Sequence, residues 1–416
     1  MNKQLLQPLK GFRDFLPKEA KKRQYLIKKL TNVFELFGFE PLETPALEYK
    51  EVLTGHYGSE DDKLVYSFKD LGDREVALRY DQTVPTARVL GMYHNSLPIP
   101  WRRYQIQPVW RAEKPQSGRY REFTQCDADI YGSYSTLSDA EIISLANQIF
   151  IALGFKNFKI FINDRQILFE LMNFASIPRD LQLATISAID KLDRKSEEEV
   201  SQDLKNLGLS EQSIKHLFHH LSESQPNENL QKIIKYAKVL GVDEKRLLFQ
   251  ARLARGLDYY TGTIFEIKID EYKVGSVLGG GRYDNLIEDL SGFKIPAVGF
   301  GLGFDRTLEA MDKLKLFSNE GKREGVLVSI FSNDFLEDSA TVVANLRENK
   351  IKAEIFSDDT AKLEKQLRYA DKKGIKWLIV IGPSEIEKNT VILKDLETGH
   401  QEDIKLEDLI EKLNNY

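Results

Sequence analysis

The stretch Trp110-Arg-Ala-Glu-Lys-Pro-Gln-Ser-Gly-Arg-Tyr-Arg-Glu-Phe-Thr-Gln-Cys-Asp-Ala-Asp129 gathers charged, amide and aromatic side chains around one predicted loop. Pro115 and Gly118 indicate that this loop joins two strands. Alternation along the second strand places five side chains on one face: Arg121, Phe123, Gln125, Asp127 and Asp129. Carboxylates are costly to bury without partners, so such a face suits a cleft that receives a cationic or hydrogen-bonding ligand. The solvated face of a surface hairpin is the alternative that the pattern leaves open.

Three later segments combine glycine with arginine. Arg255-Gly-Leu-Asp-Tyr-Tyr260 places one arginine and two tyrosines around a tight turn. Gly279-Gly-Gly-Arg-Tyr-Asp284 is predicted to turn after a strand at 273–278, with Arg282 supplying charge beside a closely approaching ligand. Gly299-Phe-Gly-Leu-Gly-Phe-Asp-Arg306 precedes a predicted helix whose N-terminus would favour an anion. Ordinary turns, and glycine packing at a strand–helix joint, are the alternative explanations.

Composition limits the class of protein. The 416 residues include 59 basic and 64 acidic side chains, for a net charge of −5, which disfavours a strongly basic nucleic-acid coat protein. The single cysteine, Cys126, excludes an internal disulfide framework and fits a reducing compartment. The sequence has no P-loop, Rossmann fingerprint or His-Glu-x-x-His pattern. No apolar run approaches the roughly 20 residues of a membrane span, so we expect a cytoplasmic protein with no membrane partner.

The chain is predicted to have several parts. Residues 17–37 show the apolar spacing of an amphipathic helix that begins at Pro17. A capping box, Ser196-Glu-Glu-Glu199, lies in a region of helical patterns. Strands alternate with helices near the end of the chain, which indicates a separate α/β domain. We expect a first core segment over 1–164, a helical insertion over 165–245, a second core segment over 246–320, and the α/β domain over 321–416.

Taken together, these residues resemble the histidyl-tRNA synthetases, a family of class II aminoacyl-tRNA synthetases. Residues 39–45, 111–129 and 299–306 are similar to the three class II motifs, in order along the chain. Residues 255–260 and 279–284 resemble the two motifs that are specific to histidine. The resemblance implies an α+β fold. It would contain an antiparallel six-stranded catalytic sheet flanked by helices, a helical insertion and a C-terminal α/β anticodon-binding domain.

The resemblance also implies which residues would bind the small substrates. The α-amino group of histidine would be held by Asp81, Thr83 and Gln125, and its imidazole would face Asp129, Tyr259 and Tyr260. A carboxylate and a phenol are suitable partners for a ring that carries two nitrogens. The ATP-binding residues would be Arg111 at the α-phosphate, Glu113 beside the adenine and Arg306 at the γ-phosphate.

Catalysis and RNA contact follow from the same resemblance. Arg111 and Arg255 would act on the α-phosphate from two sides, and Gln116 and Arg121 would meet the acceptor end of tRNA. No residue is assigned to a metal. Near the end of the chain, a basic cluster that includes Lys365 and Arg368 fits either an RNA-contacting face or a solvated helix face.

The implied function is an enzyme, a histidine–tRNA ligase that uses ATP and Mg2+ and joins L-histidine to tRNA(His) through a histidyl-adenylate. It would be a homodimer, with Pro45 of the first class II motif at the interface. The alternative is a non-catalytic, synthetase-like paralogue that binds histidine and regulates histidine biosynthesis. The intact segment 255–260 and the presence of a C-terminal domain favour the enzyme.

Overall fold

The computed structural model describes residues 6–54, 65–114, 120–254, 259–317 and 322–415. The chain divides into two compact units, residues 1–317 and 318–416. Within the described ranges, no helix is both long and apolar enough to cross a bilayer.

The first unit contains both strands and helices. Its strands are β1 (Glu40–Pro41), β2 (Leu47–Tyr49), β3 (Ser67–Lys69), β4 (Glu75–Leu78), β5 (Trp101–Trp110), β6 (Glu122–Tyr131), β7 (Phe158–Asp164), β8 (Leu247–Phe249), β9 (Thr263–Ile269), β10 (Leu278–Arg282) and β11 (Ala297–Gly303). Its helices are α1 (Pro17–Leu36), α2 (Lys50–Leu53), α3 (Thr83–Tyr93), α4 (Thr136–Ala152), α5 (Arg165–Phe174), α6 (Arg179–Ile189), α7 (Glu197–Asn206), α8 (Glu211–Glu223), α9 (Glu228–Val239), α10 (Leu286–Ser291) and α11 (Phe304–Lys313).

The strands of the first unit form two sheets. The larger has the order β1-β5-β6-β11-β10-β9-β7-β8 and the smaller the order β2-β4-β3. In the larger sheet the six strands from β5 to β7 are antiparallel to their neighbours, whereas the edge strands β1 and β8 pair in parallel. The antiparallel six-stranded sheet that the resemblance implies is confirmed, and β1 and β8 extend it to eight strands.

The first helix illustrates how the core forms. Helix α1 begins at Pro17, as predicted, and buries Leu26, Leu30 and Phe34 at helical spacing. Gly38 follows the helix with a φ of +71°, a conformation that favours glycine and ends the helix. Cys126 is buried in the same core as these residues and belongs to the apolar face of β6.

The glycine segment 279–281 corrects one prediction. We expected a turn there, but Gly279, Gly280 and Gly281 lie inside β10, between β9 and β11. A β-carbon built on Gly280 would lie 2.6 Å from Cβ of Phe300, and one on Gly281 would lie 2.9 Å from the Tyr260 ring. Glycine is therefore needed for close packing between neighbouring segments rather than for turning the chain.

A helical region lies between β7 and β8. It consists of α5 to α9 and a short 3-10 helix, Asp190–Asp193. The capping box of Ser196 and Glu199 is present at the start of α7, as predicted. Helix α9 packs against α4. These helices confirm the helical insertion that the fold class includes.

The second unit is an α/β fold with a mixed sheet. Its strands are β12 (Val326–Val328), β13 (Ala353–Ile355), β14 (Trp377–Val380), β15 (Thr390–Asp395) and β16 (Gln401–Lys405), and its α-helices are α12 (Leu336–Glu348), α13 (Leu363–Lys373), α14 (Pro383–Lys388) and α15 (Leu409–Asn414), with a 3-10 helix at Asn333–Phe335. The sheet order is β13-β12-β14-β15-β16. The first three strands are parallel and the last two pair antiparallel, so the predicted α/β class of this domain is confirmed.

Candidate active site

The candidate site begins as a pattern across three central strands. Residues of β5, β6 and β11 form lateral rows in register: Arg103, Asp129 and Gly299; Gln105, Asp127 and Gly301; Gln107, Gln125 and Gly303. Directly opposite residues point to the same face of a sheet. Each of the three polar side chains of β6 in these rows therefore has a polar neighbour on β5 and a glycine on β11.

The glycines of β11 leave the space that the polar side chains use. A β-carbon on Gly299 would overlap the carboxylate of Asp129 and lie 2.6 Å from the backbone oxygen of Ala128. A cavity of about 150 Å3 lies on this face. Its side-chain lining includes Thr83, Gln125, Asp127, Asp129, Tyr259, Tyr260 and Tyr283.

Asp129 is held from two directions at one end of this cavity. Nη2 of Arg103, a fully buried guanidinium, lies 2.8 Å from one carboxylate oxygen, and the hydroxyl of Tyr283 donates to the other. Burial raises the pKa of Asp129, while Arg103 and the Tyr283 hydroxyl oppose that shift. Because arginine stays charged in proteins, Arg103 and Asp129 form a buried ion pair. Asp129 is thus a fixed, oriented acceptor.

Asp127 and Gln125 form the middle of the cavity wall. Asp127 is 4% exposed, and its Oδ2 accepts a hydrogen bond of 2.8 Å from Nε2 of Gln125. Within the described part of the chain, Oδ1 of Asp127 and Oε1 of Gln125 are both buried without a hydrogen-bond partner. Burial raises the pKa of Asp127 to about 7, against the opposing charge of Arg103. The cavity therefore presents two buried acceptors side by side.

The start of α3 forms another wall of the smaller cavity. The side chain of Gln82 donates hydrogen bonds of 3.0 Å to the backbone oxygens of both Gln107 and Gln125, which fixes this helix end to β5 and β6. Thr83, the first residue of α3, consequently lines the cavity. Asp81 accepts a hydrogen bond from the backbone N–H of Val84 and precedes the same helix end, but it is not part of the cavity lining.

A larger cavity of about 890 Å3 lies next along the sheet. Arg111, Glu266, Lys268 and Ser276 contribute to its lining, and so do Asp190, Asp193 and Arg194 of the helical region. Glu266 is opposite Gly279 in the sheet register, so the larger cavity continues the row of Asp127 and Gly301. Nη1 of Arg306 donates a 3.1 Å hydrogen bond to the backbone oxygen of Ser276. Two predicted phosphate ligands thus lie at or beside one cavity.

The remaining predicted residues fall into two groups. Arg121 donates to the backbone oxygen of Glu113 over 3.1 Å, and its backbone pairs with Arg111 and Gly11. Through these contacts Arg121 connects the residues after β5 to Gly11 near the start of the chain. Arg255 and Gln116 lie outside the described residues.

The sequence analysis assigned no role to two residues of the site, and it expected a third residue to face a ligand that it does not face. Arg103 and Tyr283 contact Asp129, yet neither was assigned a role from the sequence. The alternating polar residues Arg103, Gln105 and Gln107 were the signal that β5 shares the polar face. The expectation for Arg282 is wrong: its guanidinium faces the other side of the sheet and forms a buried ion pair with Asp139 of α4, since β10 alternates after Gly281.

Comparison with known proteins identifies the family to which the chain is similar. Residues 11–307 match the family model described as histidyl-tRNA synthetase, and residues 325–416 match one described as anticodon binding domain. The chain is 41% identical to a histidine–tRNA ligase of Gloeobacter violaceus, over 95% of this chain and 96% of that protein. It is also 38% identical to a histidine–tRNA ligase of Cytophaga hutchinsonii, over 97% of this chain and 98% of that protein.

A solved structure supports the same relationship at the level of the fold. The histidyl-tRNA synthetase of Nostoc sp. PCC 7120 superposes with a TM-score of 0.85, at 29% identity, and 98% of each chain is covered. Both the sequence and the structural similarity extend over nearly the whole length. The chain belongs to the histidyl-tRNA synthetase family of class II aminoacyl-tRNA synthetases.

Proposed function

We propose that this chain ligates L-histidine to tRNA(His), with ATP as the second substrate and histidyl-adenylate as the intermediate. The observation that carries the proposal is the juxtaposition of two cavities on one sheet face. The smaller has the polar acceptors and aromatic rings that suit histidine, and the larger is lined by Arg111 and lies beside Arg306. Family membership supports the same reaction.

We assign the smaller cavity to histidine. Asp129 accepts a hydrogen bond from the imidazole, with Tyr259 and Tyr260 beside the ring. Thr83 and Gln125, together with Asp81 at the same helix end, receive the α-amino group. The size of about 150 Å3 fits a small amino acid rather than a nucleotide.

We assign the larger cavity to ATP. Arg111 holds the α-phosphate and the substrate carboxylate, Arg306 the γ-phosphate, and Glu113 lies beside the adenine. The carboxylate of histidine attacks the α-phosphorus in line and pyrophosphate leaves. Guanidinium groups already in position stabilise the charge that develops on the phosphoryl oxygens. The terminal ribose hydroxyl of tRNA then attacks the adenylate carbonyl and AMP leaves.

Mg2+ is expected to accompany ATP. This ion favours oxygen ligands and usually combines one or two carboxylates with substrate phosphates. The carboxylate of Glu266 lines the larger cavity, 2.9 Å from Nζ of Lys268, and is of the donor type that Mg2+ prefers, so Glu266 would be the side chain that holds the ion together with phosphate oxygens. When bound, Mg2+ would neutralise phosphate charge; the chain's own arginines perform the steps described above.

RNA binding and assembly complete the proposal. We assign residues 321–416 to the anticodon, and Gln116 and Arg121 to the acceptor end of tRNA. We also propose a homodimer with Pro45 at its interface. Exposed apolar side chains of the small sheet, Leu47 and Phe68, support an interface there. A solution mass twice the 47.9 kDa of the chain is expected, and a monomer would contradict it.

The deciding experiment is pyrophosphate–ATP exchange, tested with each of the twenty amino acids and Mg2+. Exchange that depends on histidine alone is expected. Exchange with another amino acid would contradict the substrate assignment. Binding of histidine without exchange would favour the regulatory paralogue, the other candidate for this family.

Arg255 provides a sharper test of the catalytic assignment. Arg255→Ala should lower the adenylation rate by roughly 100-fold or more while histidine binding changes little, because the guanidinium acts on transition-state charge. The matched control is Arg252→Ala, which removes an exposed arginine three residues away. Equal adenylation rates for the two variants would refute the role of Arg255.

A further inference from the structure

Asp127 is the acidic residue of the smaller cavity whose role the assignments above leave open. It lies between Gln125 and Asp129 on β6, faces the same cavity and is almost fully buried. Asp129 has a cationic neighbour in Arg103 and a donor in Tyr283. Asp127 receives only the amide of Gln125, and its Oδ1 has no hydrogen-bond partner among the residues that the structure describes.

Two neighbouring buried acceptors indicate which kind of donor group the cavity would bind. Oδ1 of Asp127 and Oε1 of Gln125 both lack a partner within the described ranges, although their side chains are joined through the other atoms. An unsatisfied buried acceptor is costly, and a buried carboxylate without a cation more so. An ammonium group has three donors and no acceptor, so it can satisfy both oxygens at once.

Resting on the proposed function, we propose that Asp127 binds the α-ammonium group of the substrate histidine, together with the amide oxygen of Gln125, and so selects substrates that carry this cation. Histidine brings one positive charge at the α-position into a cavity lined by two buried carboxylates, of which Asp129 is paired with the buried guanidinium of Arg103. With the ammonium bound, each carboxylate has a cation. The pair Asp129 and Arg103 then remains available to orient the imidazole.

Proton linkage gives the proposal a signature. Burial raises the pKa of Asp127 to about 7, with Arg103 opposing and the carboxylates of Asp129 and Asp81 adding to the rise. Tyrosines 259, 260 and 283 line the same cavity. Near pH 7 the carboxyl group is therefore about half protonated, and an arriving ammonium should displace that proton. Binding of histidine should therefore release more protons at pH 7 than at pH 8, where the carboxyl group is mostly ionised before histidine arrives.

The test compares three ligands by titration calorimetry with the full-length parent protein and Asp127→Asn. L-Histidine carries both the ammonium and the carboxylate, L-histidinol keeps only the ammonium, and 3-(imidazol-4-yl)propionate keeps only the carboxylate. In Asp127→Asn, affinity for histidine and histidinol should fall roughly tenfold to a hundredfold, as for loss of a hydrogen bond to a charged group. Affinity for the propionate should change by less than about twofold on the same scale.

A second variant distinguishes the role of Asp129 at the imidazole from the role of Asp127 at the ammonium group. Asp129→Asn should weaken all three ligands, because each contains the imidazole. If Asp127→Asn also weakens all three equally, or none of them, the proposal is overturned. A merely structural role would lower the affinity for every ligand together and would not distinguish the propionate.

A measurement on the parent protein keeps the proposal testable if Asp127→Asn fails to fold. Calorimetry at pH 7 and at pH 8, each in two buffers of different ionisation enthalpy, counts the protons released when histidine binds. Histidine should release roughly half a proton more at pH 7 than at pH 8, since the carboxyl group of Asp127 holds a displaceable proton mainly at the lower pH. Equal release would overturn the proposal. Because binding is measured rather than exchange, failure of ligation would leave this result standing, whereas absence of any histidine binding would overturn both proposals.

Discussion

Gly299→Ala should damage the site without removing a functional group. The added methyl group would overlap the carboxylate of Asp129, and it would lie 2.6 Å from the backbone oxygen of Ala128. The carboxylate can rotate away, but that would separate it from Arg103 and Tyr283. The Ala128 oxygen belongs to β6, which pairs with strands on both sides, so it cannot yield without disturbing the sheet.

The expected magnitudes follow from these contacts. Overpacking of this kind typically costs about 1–3 kcal/mol of stability. Displacement of Asp129 should remove a hydrogen bond involving a charged group, worth about 1.5–3 kcal/mol, from the imidazole. The Michaelis constant for histidine should therefore rise about tenfold to a hundredfold, while that for ATP changes much less.

Gly301→Ala is the matched comparison two residues along the same strand. Its β-carbon would lie 3.1 Å from Oδ1 of Asp127, and no backbone atom is as close. We expect a smaller loss of stability than for Gly299→Ala. Urea unfolding and histidine-dependent pyrophosphate exchange would measure both variants. Equal stability of Gly299→Ala and the parent, with an unchanged Michaelis constant for histidine, would refute the steric argument.

Three further predictions test buried and exposed charges. Arg103→Met should cost about 3–5 kcal/mol by urea unfolding, because it leaves Asp129 buried without a cation, and Arg103→Met combined with Asp129→Asn should recover part of that loss; a double variant less stable than the single would contradict this. The pKa of Asp127, raised to about 7 in the folded state from 3.8, means that the folded parent loses stability as pH rises from about 4 to 7. Asp127→Asn lacks this loss, so its unfolding free energy relative to the parent should increase over that range, and a constant difference would speak against the buried carboxyl. Lys365 and Arg368 pair with Asp358 and Glu364 at an exposed surface, so replacing both by alanine should leave thermal unfolding nearly unchanged. If the face contacts tRNA, the same change should raise the Michaelis constant for tRNA and flatten its salt dependence; unchanged kinetics would identify a solvated face.

Local pattern predicted the parts of the fold that depend on neighbours in sequence. The predicted pairing of two strands on either side of residues 111–121 is observed as β5 and β6. Gln125, Asp127 and Asp129 share a face of β6, because alternation along one strand decides it. Helix α1 and the capping box at Ser196 likewise follow from spacing alone.

Features that depend on strand pairing could not be predicted in this way. The place of Gly279–Gly281 inside a strand depends on β9 and β11, which lie on either side of β10. The direction of Arg282 follows from the same pairing. The contacts of Arg103 and Tyr283 with Asp129 require β5, β6 and the end of β10 to be brought together by the sheet, and single-sequence periodicity does not contain that register.

The position of β11 between β6 and β10 has a consequence for folding during synthesis. Gly299 pairs with Asp129, and Arg13 contacts Asp305 across a sequence separation of 292 residues. Pairings this distant are slow to form, because loop closure must precede the stabilising contacts. The nascent chain must therefore expose β6, with an unpaired edge, until residues near 303 have left the ribosome. The catalytic sheet can close only after β11 has emerged, because β11 is the strand that joins β6 to β10.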